Sequence, residues 1–258
     1  MAAREYGQYG GVTRGLELVG ERWALLIVRD LLVGPRRYGE LAAGLARIPS
    51  NILAARLKEL QAAGIIRRVP HSRVIVYELT PYGRELEPVV LALGAWGFKS
   101  LGDPRAEQVI TPDSMTMDLR TAFRAQVAET LPVTAYAARF GGAELLIRVD
   151  GSSLDITRAS GSLDITRGDG GLDVTRRDRG LDVTRGDGTL DVTRRDGGLD
   201  VTRGDGPVDL AFAAGPGIRR LILGELDPQR AIETGVVEVL RGRSALLSRF
   251  ASTFHLAA

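Results

Sequence analysis

Residues 34–60, GPRRYGELAAGLARIPSNILAARLKEL, constrain the fold more tightly than any other stretch of this chain. Tyr38, Leu41 and Leu45 recur at the three- and four-residue spacing of one helical face. Ile52 with Leu53, Leu57 and Leu60 repeat that spacing after Pro49-Ser50, which reads as an N-cap. Two short amphipathic helices joined by a tight connection are therefore expected. The other face of the second carries Ser50, Asn51, Arg56 and Lys58, groups that hydrogen-bond to base edges and phosphates. The pattern fits a helix-turn-helix whose second helix enters the major groove. It equally fits an ordinary helical hairpin with a solvated basic face, so the flanking sequence decides.

Upstream, residues 13–33 read as one amphipathic helix or a pair, with Leu16, Val19, Trp23, Leu26, Ile27 and Leu31 apolar and Trp23 a core anchor. Downstream, Gly64 stops the second helix. Ile65-Ile66 and Val74, Val76 and Tyr77 then form two strands around a polar tip, Arg68 to Arg73. A basic β-hairpin directly after such a helix is a wing. Thr80-Pro81 opens a further helix running through Leu86, Val89, Val90, Leu93 and Trp96, which Gly102-Asp103-Pro104 terminates at a domain boundary.

With that order complete, the chain resembles the HxlR-type branch of the MarR-like winged-helix repressors. The runs GERWALLIVRDLLVGPRRYGELAAGL, NILAARLKELQAAGIIRR and YELTPYGRELEPVVLALGAWG carry the resemblance, which covers nearly all of residues 7–98. It implies a homodimer on double-stranded DNA, each subunit placing its recognition helix and wing on one half-site of a pseudo-palindrome. Many relatives carry a sensing cysteine near the N-terminus. Tyr6-Gly7-Gln8-Tyr9 stands there instead, so that mechanism is excluded. Arg36 and Arg37 are expected to meet phosphates as positioning contacts, with Tyr38 beside them. Ser50 and Asn51 are placed for a base edge, or for a phosphate at a helix N-terminus. Arg56 and Lys58 would meet phosphate or base further along, and Arg73 the minor groove or its backbone. His71 is a polar wing residue.

Composition narrows the alternatives. Residues 1–100 carry 14 Lys and Arg against 9 Asp and Glu, whereas the remainder carries 20 against 23. A basic first domain with a mildly acidic remainder suits a nucleic-acid module attached to something else. There is no cysteine, and the two histidines, His71 and His255, are far apart. Disulfides, thiol switches and a zinc site are therefore not expected. No run approaches a membrane span and no signal-peptide core is present, so a cytoplasmic protein without a membrane partner is expected. Nor is there a nucleophile–base pair, a paired-carboxylate motif or a phosphate-cradling loop; neither enzyme activity nor a cofactor is expected.

From Asp113 the character changes. Residues 116–130 read as a short helix, followed by strands in LPVTAYAARF and AELLIRVDG about the turn Gly141-Gly142. Later come a strand at Val208–Phe212, a helix over Ile218 to Leu226, another from Asp227-Pro228, a strand Val236–Leu240 and a last helix Ser244–Phe254. This half resembles the sterol carrier protein type 2 domain, on Val208–Phe212 and LILGELDPQRAIETGVVEVLRGRSALLSRFASTFHL, with its Gly-x-x-Asp-Pro and Ala-x-x-x-Gly. The resemblance implies a curved five-stranded sheet with helices on one side enclosing an apolar tunnel. Leu221, Leu226, Leu247, Phe250 and Phe254 would line such a tunnel for a small apolar ligand; otherwise they are plain core.

Neither family supplies residues 153–206: SLDITRASG, SLDITRGDG, GLDVTRRDR, GLDVTRGDG, TLDVTRRDG and GLDVTRGDG, six tandem copies of nine residues. Near-identity points to expansion of a short DNA repeat inside one strand and its turn. L-D-V-T-R is a strand with Leu and Val on one face, and x-D-G-x a turn. An antiparallel meander would pair Val with Val and Asp with Thr. A parallel β-roll would stack Asp on Asp, and without an apolar face to cover the segment would stay mobile. The large apolar residue of calcium-binding nonapeptides is replaced here by threonine, which argues against that ion.

The expected fold class is α+β: a winged helix domain over 1–104, then a sterol-carrier-like α+β domain over 113–258 with a β-rich insertion at 153–206. The expected function is a dimeric DNA-binding regulator, a repressor, whose second domain binds an apolar effector. The alternative is a lipid carrier or assembly protein whose winged helix serves only dimerisation.

Overall fold

The computed structural model describes residues 5–71, 73–105, 107–159, 163–168, 171–176, 184–186, 189–191 and 208–256. These fall into two compact units, Met1–Ser100 and Leu101–Ala258.

The first unit runs α1 (Gly11–Val19), α2 (Ala24–Val33), α3 (Tyr38–Gly44), α4 (Ser50–Ala62), β1 (Ile66–His71), β2 (Val74–Leu79), α5 (Pro81–Arg84) and α6 (Glu87–Phe98). Residues 13–33 are thus a pair of helices. Gly20 ends the first, and Trp23 enters the second in the left-handed region, at φ 82°. For a bulky residue that conformation costs on the order of 1–3 kcal/mol and persists only where the surroundings hold it. Ile27, Val28 and Leu31 of α2, Leu41 of α3 and Leu53, Leu57 and Leu60 of α4 are all buried. At about 1.5–3 kcal/mol for each fully buried aliphatic side chain, this core holds the helices together.

The wing is an antiparallel pair in which Ile66 faces Leu79 and Val69 faces Val76. Gly64, at φ 69°, makes the left-handed turn that releases the chain from α4 into β1. The Thr80 hydroxyl donates to the Gly64 carbonyl at 2.6 Å and accepts from the Gly83 N–H at 3.0 Å, tying wing to helix start. The single helix expected after Thr80 is two, α5 and α6, because Leu86 and Glu85 close a tight turn onto Gly83 and Tyr82.

The second unit runs α7 (Pro112–Ala122), α8 (Ala125–Ala128), β3 (Thr134–Phe140), β4 (Ala143–Asp150), β5 (Ser153–Arg158), β6 (Leu163–Gly168), β7 (Gly171–Arg176), β8 (Thr184–Gly186), β9 (Thr189–Asp191), β10 (Leu210–Ala214), α9 (Ile218–Ile222), α10 (Pro228–Glu233), β11 (Val237–Gly242) and α11 (Ala245–Thr253). A five-stranded sheet has the order β11-β10-β3-β4-β5. Alternation gives it one apolar face: Ile156, Ile147, Tyr136 and Leu210 lie in one row, and Leu145, Ala138, Phe212 and Val239 in the next. Phe250 of α11 packs edge-on against Tyr136 and Phe212, with ring centroids 5.4 and 5.1 Å away.

Sequence periodicity placed one helix at 116–130. It starts earlier, because Thr111 and Ser114 cap each other and Pro112 occupies the first turn. It breaks at Phe123, which turns extended to bridge Phe254 while the Arg124 N–H donates to the Thr253 carbonyl at 2.8 Å. Pairing with the chain's last turn overrides helix propensity there. The helix expected to reach Leu226 ends at Ile222, ahead of Gly224 in the left-handed region at φ 69°.

The first repeat copy is β5, the edge strand, and its Arg158 reaches the buried Asp113 at 3.2 Å. The second and third copies are the antiparallel pair β6 and β7, with Ile165 opposite Val174 and Asp164 opposite Thr175. β8 and β9 pair likewise, Thr184 opposite Asp191. This is the meander pairing, not the parallel stack. Residues 192–206 lie outside the described ones. Among the described residues no helix is long and apolar enough to cross a membrane.

Burial pushes the Tyr136 phenol up to about 12, an effect the nearby Arg249 guanidinium only partly offsets. Raised in the fold relative to its ordinary 10.0, the group contributes stability that is full below pH 10 and is lost as pH rises towards 12. Urea unfolding should therefore show the second unit weakening over that range in the wild type and less in Tyr136→Phe.

Candidate nucleic-acid interface

Burial of Leu53, Leu57 and Leu60 turns the opposite side of α4 outward. That side presents Ser50, Asn51, Ala54 and Lys58, all exposed. Asn51, Ala54 and Lys58 recur at helical spacing, so a small side chain separates an amide from an ammonium. A groove floor can approach closest at Ala54, while Asn51 and Lys58 flank it with donors. Ala54 carries no polar group, so nothing in its side chain marks it in the sequence as part of this face.

Ser50 does not cap α4. Pro49 is the N-cap, without a side-chain hydrogen bond, and Ser50 begins the helix proper. The reason is backbone: Pro49 is extended at ψ 141°, and its carbonyl already accepts from the Leu53 N–H at 2.9 Å. The Ser50 hydroxyl is consequently not consumed by capping. Its carbonyl accepts from the Tyr38 hydroxyl at 2.9 Å, which fixes the start of α3 to the start of α4. Tyr38 stands half out of the core at 37% exposure, so it belongs to the surface of the turn more than to the apolar face read from its spacing.

Arg37 precedes α3, where its N–H donates to Glu40 at 2.6 Å and its side chain is exposed. Arg36 is held more tightly. Its backbone exchanges hydrogen bonds with Tyr77 at 3.0 and 2.7 Å, so the segment before α3 joins the wing as a short third strand. Arg36 also donates to the Pro35 carbonyl at 2.9 Å. The structure thereby brings the start of α3 and the wing together, which spacing alone does not reveal.

Arg73 is exposed at the wing turn, beside exposed His71. Two further wing cations, Arg67 and Arg68, lie within β1 and not at its tip. Arg67 pairs with Glu78 at 2.6 Å, and Arg68 lies over the Tyr77 ring at 5.8 Å. Arg47, in the turn between α3 and α4, is exposed and sits at φ 73°. Left-handed backbone at a non-glycine residue between those helices is a feature that only the folded chain shows.

Arg56 is placed differently from the rest. Its side chain is only 14% exposed, pairs with Glu21 at 3.1 Å and also binds Glu59. The expectation that it faces DNA is not what this geometry presents: both carboxylates draw it along the flank of α4.

In the second unit Leu221, Leu226, Leu247, Phe250 and Phe254 are all buried. Among the described residues no cluster of His, Asp or Glu could hold a metal ion.

Residues 18–104 match the HxlR-like helix-turn-helix family. An uncharacterized HTH-type transcriptional regulator of Mycobacterium tuberculosis is 43% identical over 101 residues, 38% of this chain and 63% of that protein. The chain thus spans less than two thirds of that relative's length. The uncharacterized HTH-type transcriptional regulator YvaP of Bacillus subtilis is 35% identical over 86 residues, 32% of this chain and 80% of that protein. The solved structure of the redox regulator HypR in its reduced form is 30% identical, covering 36% of this chain and 95% of that one, with a TM-score of 0.34.

The wing depends on close packing at Gly83, where an added Cβ would lie 2.1 Å from the Ile65 carbonyl oxygen. Gly83→Ala should destabilise the first unit by about 1–3 kcal/mol, read as a lower midpoint in urea unfolding.

Proposed function

Through residues 18–104 this chain belongs to the HxlR-like helix-turn-helix family, and on that premise we propose that it is a DNA-binding transcriptional regulator. It acts as a homodimeric repressor on a pseudo-palindromic operator. One observation carries the reading: the outward row Ser50, Asn51, Ala54 and Lys58 on α4, with exposed Arg37 before α3 and Arg73 at the wing. Asn51 reads a base edge, Ser50 and Lys58 contact base or phosphate, and Arg36, Arg37, Tyr38 and Arg73 position the duplex.

Exposed apolar side chains supply the dimer. Val89, Leu93 and Trp96 follow each other on one face of α6, and Val12 and Leu16 on α1. Such rows on a soluble unit mark a protein surface to be covered, and a second copy is the occupant the family implies. Double-stranded DNA and a second copy are the partners.

The second unit is read as a sterol-carrier-like domain over 113–258, interrupted by the repeat at 153–206, following a DNA-binding domain over 1–104. A five-stranded sheet with an apolar face, against which Phe250 of α11 packs, supports that reading. Its ligand is a small apolar effector among Leu221, Leu226, Leu247, Phe250 and Phe254, and ligand binding shifts the dimer between DNA-competent and incompetent states.

Fluorescence anisotropy of the full-length protein on its own promoter region, at two salt concentrations, tests the reading. Selective, salt-sensitive binding is expected; equal affinity for random duplex would refute it. Asn51→Ala should cost about 1–3 kcal/mol on the operator and relax selectivity, whereas Lys58→Ala should weaken all duplexes alike if it meets phosphate. Trp96→Ala should weaken self-association by at least about 2 kcal/mol in sedimentation equilibrium.

A further inference from the structure

Arg56 is the charged residue of α4 whose surroundings least resemble those of a nucleic-acid contact. One guanidinium nitrogen lies 3.1 Å from Glu21 Oε2, another binds the Glu59 carboxylate, and Nε is buried with no hydrogen-bond partner among the described residues. Two carboxylates offset its single charge, so little remains to displace counterions from a phosphate. The position of its first partner is informative. Glu21 sits in the elbow between α1 and α2, where its carbonyl accepts from the Ala24 N–H at 3.0 Å. Two residues on, Trp23 holds its left-handed backbone with the Arg22 guanidinium over its ring at 5.1 Å. A strained elbow keeps its shape only where its surroundings over-determine it, and the Glu21–Arg56 pair is a tie from that elbow to α4.

We propose that Arg56 is a positioning residue for DNA binding and not a DNA contact. Through Glu21 it sets the attitude of α4, with its outward row Asn51, Ala54 and Lys58, against the elbow that carries α1 and the apolar residues Val12 and Leu16. The spacing of two recognition helices in a dimer is sensitive to that angle, so the ion pair governs selectivity without meeting the duplex. The inference rests on the DNA-binding reading above.

Full-length wild type, Arg56→Gln, Arg56→Lys, Glu21→Gln and the double Glu21→Gln/Arg56→Gln variant would be titrated by anisotropy against the protein's own promoter fragment and a random duplex, over a series of salt concentrations. Circular dichroism of each establishes that it is folded. Arg56→Gln should lose about tenfold in affinity for the promoter fragment and much less for random duplex, with an unchanged salt slope. Glu21→Gln should lose a similar factor although it removes a negative charge, and the double variant should be no worse than the weaker single one. Arg56→Lys keeps the charge but cannot bridge two carboxylates in the same geometry, so it too should lose selectivity. A slope flattened by about 0.9 in Arg56→Gln, or full binding by Arg56→Lys, would make Arg56 a phosphate contact and overturn the proposal. Unchanged or tighter binding by Glu21→Gln would overturn it as well. If the wild type shows no selectivity, the DNA-binding reading itself fails, and the proposal falls with it.

Discussion

The burial of one stripe of α4 is the constraint on which the rest of the first unit depends. Leu53, Leu57 and Leu60 must leave water, and their removal from solvent fixes the rotation of the helix about its axis. Every other property of the surface follows from that rotation. Asn51, Ala54 and Lys58 point outward because they lie across the helix from the buried leucines, and Arg56 falls on the flank, where Glu21 and Glu59 hold it. A change of one residue in the apolar spacing would have turned a different set of groups outward.

Around that helix the structure invests in local ties. Tyr38 binds the first carbonyl of α4, Arg36 joins the wing through two backbone hydrogen bonds, and Thr80 closes the wing against α5. Each is worth about 0.5–1.5 kcal/mol. Together they link the turn before α3, the start of α4 and the hairpin, three places from which side chains would have to reach one duplex at once. The ties use backbone groups and two hydroxyls, not the outward side chains themselves, so the outward residues can change without loosening the frame.

The second unit solves a different problem. Its sheet puts β10 parallel to β3, with β3 and β4 between it and β5, so the chain leaving β5 must cross to the other side of β3 before it can continue. A connection already obliged to span that distance tolerates added length at small entropic cost, since loop closure grows only with the logarithm of length. The nonapeptide copies sit in that connection. Copies two and three pair with each other and not with the sheet, so the expansion leaves the apolar face of Ile156, Ile147, Tyr136 and Leu210 to the first copy and the strands beside it.

Much of this was legible in the chain itself. Apolar spacing located α3, α4 and the wing, Thr80-Pro81 announced a helix start, and the alternation of Leu-Asp-Val-Thr with a turn marked short strands in the repeat while leaving meander and parallel stack open. These are local properties: periodicity and capping act within a few residues, so they survive being read in one dimension. What tertiary structure decided lay wherever distant segments compete for the same groups. Phe123 left its helix to pair with Phe254, Pro49 displaced Ser50 as the cap, and Arg36 became part of the wing through Tyr77. The fate of Arg56 is the sharpest instance. Its sequence position offers DNA and Glu21 equally, and only folding, by bringing a carboxylate 35 residues away to 3.1 Å, chooses between them.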